Sequence, residues 1–251
     1  VFVPRTAPGD RARVRLDVRK RFARGKLEEV LVPSESRVQA LCYHYRVDKC
    51  GGCQLQHMNY DAQLEAKRGI IRDSLTRIGK RAVDNAPDIH PSDKQWRYRR
   101  KLTLAMRRGR DGQWVIGLHP YDDPNAVFQL QDCPITDERV MNIWREIMEA
   151  RRFFPPTQEL RASVRLVTES DVSVVMEGGD RWPAKSAFFN EVPSITALWW
   201  KPENKGRSLV AERTRVGASA SFAQINAGVS QVLQDYVLDL ARAYRPSTLV
   251  D

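Results

Sequence analysis

Long hydrophobic runs are missing from this sequence: across 251 residues no stretch approaches the roughly eighteen uninterrupted apolar residues of a membrane span. The opening "VFVPRTAPGD" lacks the basic start, apolar run and small-residue cleavage site of a signal peptide. It also lacks an initiator methionine, so the chain is expected to start inside a longer gene product. No internal repeat, low-complexity tract or dinucleotide-type glycine motif is present, which argues against repeat architectures and flavin or nicotinamide chemistry. Cysteine is scarce, with four in all, too few for a disulfide scaffold in a chain long enough to bury a core. These absences predict a cytoplasmic, soluble protein of two or three modules, with no membrane partner and a monomer as the expected state.

Positive charge is abundant. The formal net charge is +10, from 41 Lys and Arg against 31 Asp and Glu. Residues 1–26 carry +7 and residues 94–110 carry +8, leaving the rest of the chain at −5. A concentrated excess of this kind points to a polyanion, and RNA is the expected partner. In "RARVRLDVR" Ala12, Val14, Leu16 and Val18 alternate with Arg11, Arg13, Arg15 and Arg19 except where Asp17 intervenes, the period of a strand with one basic face. A second strand in "KLEEVLVP" would make the remains of a small barrel. "WRYRRK" interleaves Trp96 and Tyr98 with Arg97, Arg99, Arg100 and Lys101, a pattern that can neutralise phosphates and stack on unpaired bases. The same alternation also fits aromatics packed inward with solvated cations outside.

Periodicity lays out the remainder. Asn59 caps a helix through "YDAQLEAKRGIIRDSLTRIG", with Leu64, Ile71, Leu75 and Ile78 on one face. Strands are predicted in "KLTLAM", "WVIGLH" and "AVFQLQ", and a helix after Thr136 with Val140, Trp144, Ile147 and Met148 inward. Residues 160–212 read as antiparallel hairpins. From Asn226 a helix carries Val229, Leu233, Tyr236, Val237 and Leu240 on one face and ends near Tyr244, and "RPSTLVD" then resembles the first strand of a nucleotide-binding α/β sheet.

Cys50-Gly-Gly-Cys53 presents two thiols from one tight turn, with Cys42 upstream and Cys133, followed by Pro134, far downstream. Four cysteines suit an iron–sulfur cluster or structural zinc, although zinc sites of this kind usually use two Cys-x-x-Cys pairs and only one is present. A thioredoxin-like use would want a helix starting at the second cysteine, which "QLQHMNY" delays. His44 and His57 stand near enough in sequence to be substitute ligands.

The order Cys42-x7-Cys50-Gly-Gly-Cys53-Gln-Leu-Gln-His, "YDAQLEAKR", "WRYRRK", "CPI" at 133–135 and "SFAQIN" at 221–226 resembles the bacterial RNA uracil-5-methyltransferases with an amino-terminal TRAM domain and a 4Fe–4S cluster. That resemblance covers almost the whole chain. It implies an α+β multi-domain protein: a partial OB-like TRAM barrel at 1–37, an iron–sulfur domain at 38–55 and 88–220, and elements of a Rossmann-like methyltransferase domain at 56–87 and 221–251. It further implies Cys42, Cys50, Cys53 and Cys133 as cluster ligands, Gln224 as a contact to S-adenosylmethionine, and a uridine of ribosomal RNA, more than transfer RNA, as substrate. The family's cofactor glycine loop, catalytic cysteine and general base match nothing before Asp251, so no catalytic residue is assigned. The competing expectation is a non-catalytic RNA-binding module with a structural four-cysteine metal site.

Overall fold

The computed structural model describes residues 3–18, 20, 22–83, 88–213 and 224–248. They fall into two compact units, residues 1–91 with 120–123 and residues 92–119 with 124–251.

In the first unit, strands β1 (Arg11–Val18) and β2 (Ala23–Val32) pair antiparallel from Arg11 opposite Val32 to Val18 opposite Ala23. The basic face is partly neutralised across the ladder, Arg13 to Glu29 and Arg15 to Glu28, each at 2.6 Å. Of the apolar positions Ala12 and Val14 are half-buried, while Leu16 and Val18 are exposed. Two strands cannot curl into a closed sheet. The partial barrel expected from the sequence is therefore, among the described residues, a two-stranded ribbon and no barrel.

The ribbon is tied to the loop that follows it by a buried ion pair. The Asp10 carboxylate accepts from the Ala7 and Ser34 amides at 2.7 and 3.0 Å and from Arg37 Nε and Nη2. Its side chain is 1% exposed and that of Arg37 17%. The hydrogen bond from Arg37 holds the Asp10 carboxyl well below the usual carboxylate range. Beyond a short helix α1 (Tyr43–Arg46), α2 (Tyr60–Asp73) starts where the Asn59 side chain accepts from the Ala62 amide at 2.9 Å, and a wider π turn extends it to Ile78. Its apolar positions Ile71, Leu75 and Ile78 are exposed.

The second unit is built on a seven-stranded mixed sheet ordered β5-β4-β3-β6-β7-β8-β9. The strands are β3 (Lys101–Arg108), β4 (Trp114–Leu118), β5 (Phe128–Gln129), β6 (Glu159–Leu166), β7 (Val172–Glu177), β8 (Ala197–Lys201) and β9 (Ser208–Glu212). Alternation sends Leu102, Leu104 and Met106 of β3 to the face that also holds Leu160, Ala162 and Val164 of β6 and Val174 and Met176 of β7, all buried. Helix α3 (Glu138–Glu149) packs on β6 and buries Val140, Met141, Ile143, Trp144 and Ile147. Each such side chain contributes roughly 1.5–3 kcal/mol by leaving water, which makes this layer the core of the unit. The cap of α3 is Asp137, one residue after the Thr136 suggested by the sequence; its carboxylate accepts from the Arg139 amide at 2.9 Å.

Residues 160–212 are not all antiparallel. β6 pairs antiparallel with β7 and β8 with β9, but β7 and β8 run parallel. A parallel neighbour needs a crossover, and helix α4 (Lys185–Glu191) lies within it, burying Phe188 and Phe189. The final helix, α5 (Ala227–Tyr244), begins where the Asn226 side chain accepts from the Val229 amide at 3.2 Å. Its stripe of Val229, Leu233, Tyr236, Val237 and Leu240 is exposed. The expected strand at the end of the chain falls on residues 249–251, outside the described residues. No helix among the described residues is long and apolar enough to cross a membrane.

Candidate functional site

Three of the four cysteines lie in the first unit. Cys42 caps α1 and is buried with Ala40 and Tyr45; Cys50 is buried, and Cys53, half-buried, packs against the same cluster. In the "CGGC" turn the Gly52 amide donates to Cys50 Sγ at 3.4 Å. Arg5 clamps the loop from outside. Its guanidinium lies 3.8 Å from the Tyr45 ring centroid and 4.6 Å from that of Tyr121, and it donates to the carbonyls of Tyr45 and, at 3.0 Å, Cys50. Arg37 in turn donates to the Arg5 carbonyl at 3.0 Å, so the ion pair beneath the ribbon also fixes the clamp.

Both histidines near the loop have protein partners. His44 Nδ1 meets Asp48 at 2.8 Å, and His57 Nδ1 meets the Tyr45 hydroxyl at 2.7 Å. Burial pushes the His57 imidazole below its ordinary pKa, so it is neutral at pH 7. Among the described residues, no three His, Cys, Asp or Glu side chains converge closely enough to hold a single metal ion. Cys42, Cys50 and Cys53 are soft thiol donors of the kind that iron–sulfur groups take.

Cys133 belongs to the second unit, where it is buried. Its loop is held by Arg97, which forms a two-pronged pair with Asp132 at 2.8 and 2.9 Å and donates to the carbonyls of Cys133 and Thr136 at 3.1 and 3.2 Å. The pairing drives the Asp132 carboxyl down and the Arg97 guanidinium up from their ordinary values. Arg97 reaches this geometry with φ at +55°, an uncommon conformation for a residue with a side chain. Its main chain runs beside the same loop, Arg97 and Arg99 donating to the carbonyls of Pro134 and Ile135 at 2.9 and 2.8 Å. The aromatics of "WRYRRK", Trp96 and Tyr98, are half-buried.

A cleft of about 270 Å³ opens where the start of β3, the end of β6 and the first turns of α5 meet. Gln224, Gln231, Gln234 and Ser230 line one side, Arg100, Lys101 and Arg165 the other. Arg100 is engaged by Glu169 at 3.1 Å and by the Thr168 carbonyl at 2.8 Å. Among the described residues no ion pair involves Arg11, Arg99 or Lys101. The structure thus brings Gln224 together with Arg100 and Lys101, and it places Arg97 inside the Cys133 loop. Sequence reasoning missed Arg165, Arg5 and Asp132; the alternation Arg161, Ser163, Arg165 could have flagged the first.

No protein-family model matches the chain. Similarity to individual proteins is extensive. An uncharacterized RNA methyltransferase of Thermosynechococcus vestitus is 37% identical over 160 residues, 63% of this chain and 35% of that protein. These relatives are named RNA methyltransferases. Another, from Halalkalibacterium halodurans, aligns with 100% of this chain and 61% of its own length at 26% identity. A third, from Synechocystis, is 37% identical over 148 residues, 59% of this chain and 31% of its own length. The chain therefore spans about a third to three-fifths of the length of these curated relatives.

Proposed function

We propose that this chain is the RNA-binding and cluster-binding portion of an S-adenosylmethionine-dependent RNA methyltransferase that methylates carbon 5 of a uridine, in ribosomal RNA in preference to transfer RNA. The observation that carries the reading is the similarity to proteins named RNA methyltransferases, one of them along the entire chain. The cysteine loop, the clamp on Cys133 and the cationic cleft at Gln224 are consistent with it.

In this reading Cys42, Cys50, Cys53 and Cys133 hold the 4Fe–4S cluster. Gln224 touches the cofactor. RNA is held electrostatically by Arg11, Arg13, Arg15, Arg99, Arg100 and Lys101, with Arg97 acting through the loop it supports. Cations on this scale neutralise several phosphates and make binding strongly salt-dependent. The test is tritium release from RNA labelled at uracil carbon 5, with protein expressed from the complete gene and S-adenosylmethionine supplied. Release with ribosomal RNA is expected; none with ribosomal or transfer RNA overturns the assignment.

A further inference from the structure

We infer that a cavity on the open face of the seven-stranded sheet reads an unpaired uracil of the bound RNA by its pairing edge, through Arg161, Glu177 and Lys201. The inference rests on the proposed RNA function and adds a base-specific contact to it.

The cavity, of about 640 Å³, lies within the second unit over β3, β6, β7 and β8, and a space of that size suits a small ligand. It is on the face opposite the core, because the alternation that buries Leu104, Leu160 and Met176 turns Ala105, Arg161 and Glu177 the other way. Ala105, Arg161, Glu177 and Lys201 form one row across the four strands, each opposite the next in register. The row is shallow at its β3 end, where Ala105 carries only a methyl group and has Gly117 on its other side. His119 lines the same space, its Nδ1 donating to the Ala126 carbonyl at 2.7 Å, and a histidine ring is a surface on which an unstacked base can lie.

The charges of the row are left for a ligand. Arg107 and Glu159, in the same lining, close on each other at 3.4 Å. Glu177 stands between Arg161 and Lys201, yet among the described residues neither cation pairs with it and no side-chain hydrogen bond engages any of the three. Three cations, Arg107, Arg161 and Lys201, and three carboxylates, Glu159, Glu177 and Glu203, line the cavity. That balance disfavours a phosphate, which would face as many carboxylates as cations, and favours a neutral group with donors and acceptors of its own.

Across the strands the row presents donor, acceptor and donor. Uracil carries the complement on its pairing edge: a carbonyl oxygen, the N3–H and a second carbonyl oxygen. Cytosine has a bare N3 in the middle position, guanine follows one carbonyl with two donors, and adenine has no carbonyl, so none of these meets all three residues. Strands about 4.8 Å apart let long side chains from β6 and β8 converge on a base beside Glu177.

The test compares binding of short fluorescein-labelled oligouridylate and oligocytidylate of equal length to the full chain, by anisotropy at one salt concentration. Base-edge contacts discriminate by roughly 5- to 150-fold, and the wild-type preference for oligouridylate is expected within that range. Glu177→Gln keeps the size of the side chain and can either donate to or accept from N3, so the ratio should fall towards one. A carboxylate acting only through its charge would change both affinities together and leave the ratio alone. Oligouridylate methylated at N3, which needs no variant, should bind the wild-type chain no better than oligocytidylate. A wild-type chain without the preference, or a preference unchanged by Glu177→Gln or by N3 methylation, overturns the base site and leaves the RNA reading standing. A wild-type chain that binds neither RNA overturns both.

Discussion

Replacing Asp10 by Asn tests how far the first unit depends on one buried ion pair. The carboxylate is 1% exposed, accepts two amides and receives two nitrogens of Arg37, itself 17% exposed. Asn keeps one carbonyl oxygen but turns an NH₂ toward donors and leaves the guanidinium without its counter-charge. Breaking a buried pair from one side costs about 3–5 kcal/mol, and the retained acceptor puts this change near the lower figure. About 3 kcal/mol is roughly a 100-fold rise in the opened population. Hydrogen exchange reads it at two amides the pair supports, Val38 bonded to the His57 carbonyl and Asn59 bonded to the Ser36 carbonyl. All six tryptophans lie in the second unit, so their fluorescence in urea supplies an internal control that should not move. The pH dependence has a definite sign. Because the folded carboxyl titrates below its unfolded value, the pair's stabilisation is complete above the unfolded pKa of about 3.9 and is lost as pH falls towards the folded pKa. The Asn variant should lack this acid-labile component. Exchange at Val38 and Asn59 slowed as in wild type would refute the reasoning.

Other expectations concern the second unit and the cysteines. A methyl group on Gly117 would lie 1.7 Å from the Phe128 carbonyl oxygen and 2.9 Å from the Leu130 nitrogen, both main-chain atoms. Gly117→Ala should therefore detach β5 and expose the Leu130 amide, now bonded to the Ile116 carbonyl, to rapid exchange. Arg97→Ala should cost about 1–2 kcal/mol in urea unfolding followed by tryptophan fluorescence, since partly exposed charge-assisted bonds are worth less than buried ones. Protein purified without oxygen should carry four irons, and Cys50→Ser or Cys133→Ser should lower both iron content and RNA affinity. Full iron in either variant would remove that cysteine from the ligand set.

Much of the architecture was legible because it rests on local rules. Asn59 and Asn226 cap helices as their side chains suggest, and the alternation in "KLTLAM" and "LRASVRL" marks strands with one buried face. The parallel pairing of β7 with β8 was not legible. "KSAFFNE" is one short helix whose adjacent aromatics hide the 3.6-residue period, and without it two hairpins looked sufficient. The sites divide in the same way. Cysteine spacing is visible in one dimension, whereas Arg97 looks like any solvated cation until Asp132, thirty-five positions on, turns out to be its partner.

Chain order gives the two arginine clamps a role in timing. Arg5 precedes Cys50 by forty-five positions and Arg97 precedes Cys133 by thirty-six. Synthesis runs from the amino end at about 5–20 residues per second, so each guanidinium leaves the ribosome seconds before the cysteine loop it holds. Cys50 and Cys133 therefore each emerge after the guanidinium that will hold their loop, whereas the Tyr121 ring against Arg5 and the Thr136 carbonyl that accepts from Arg97 follow later.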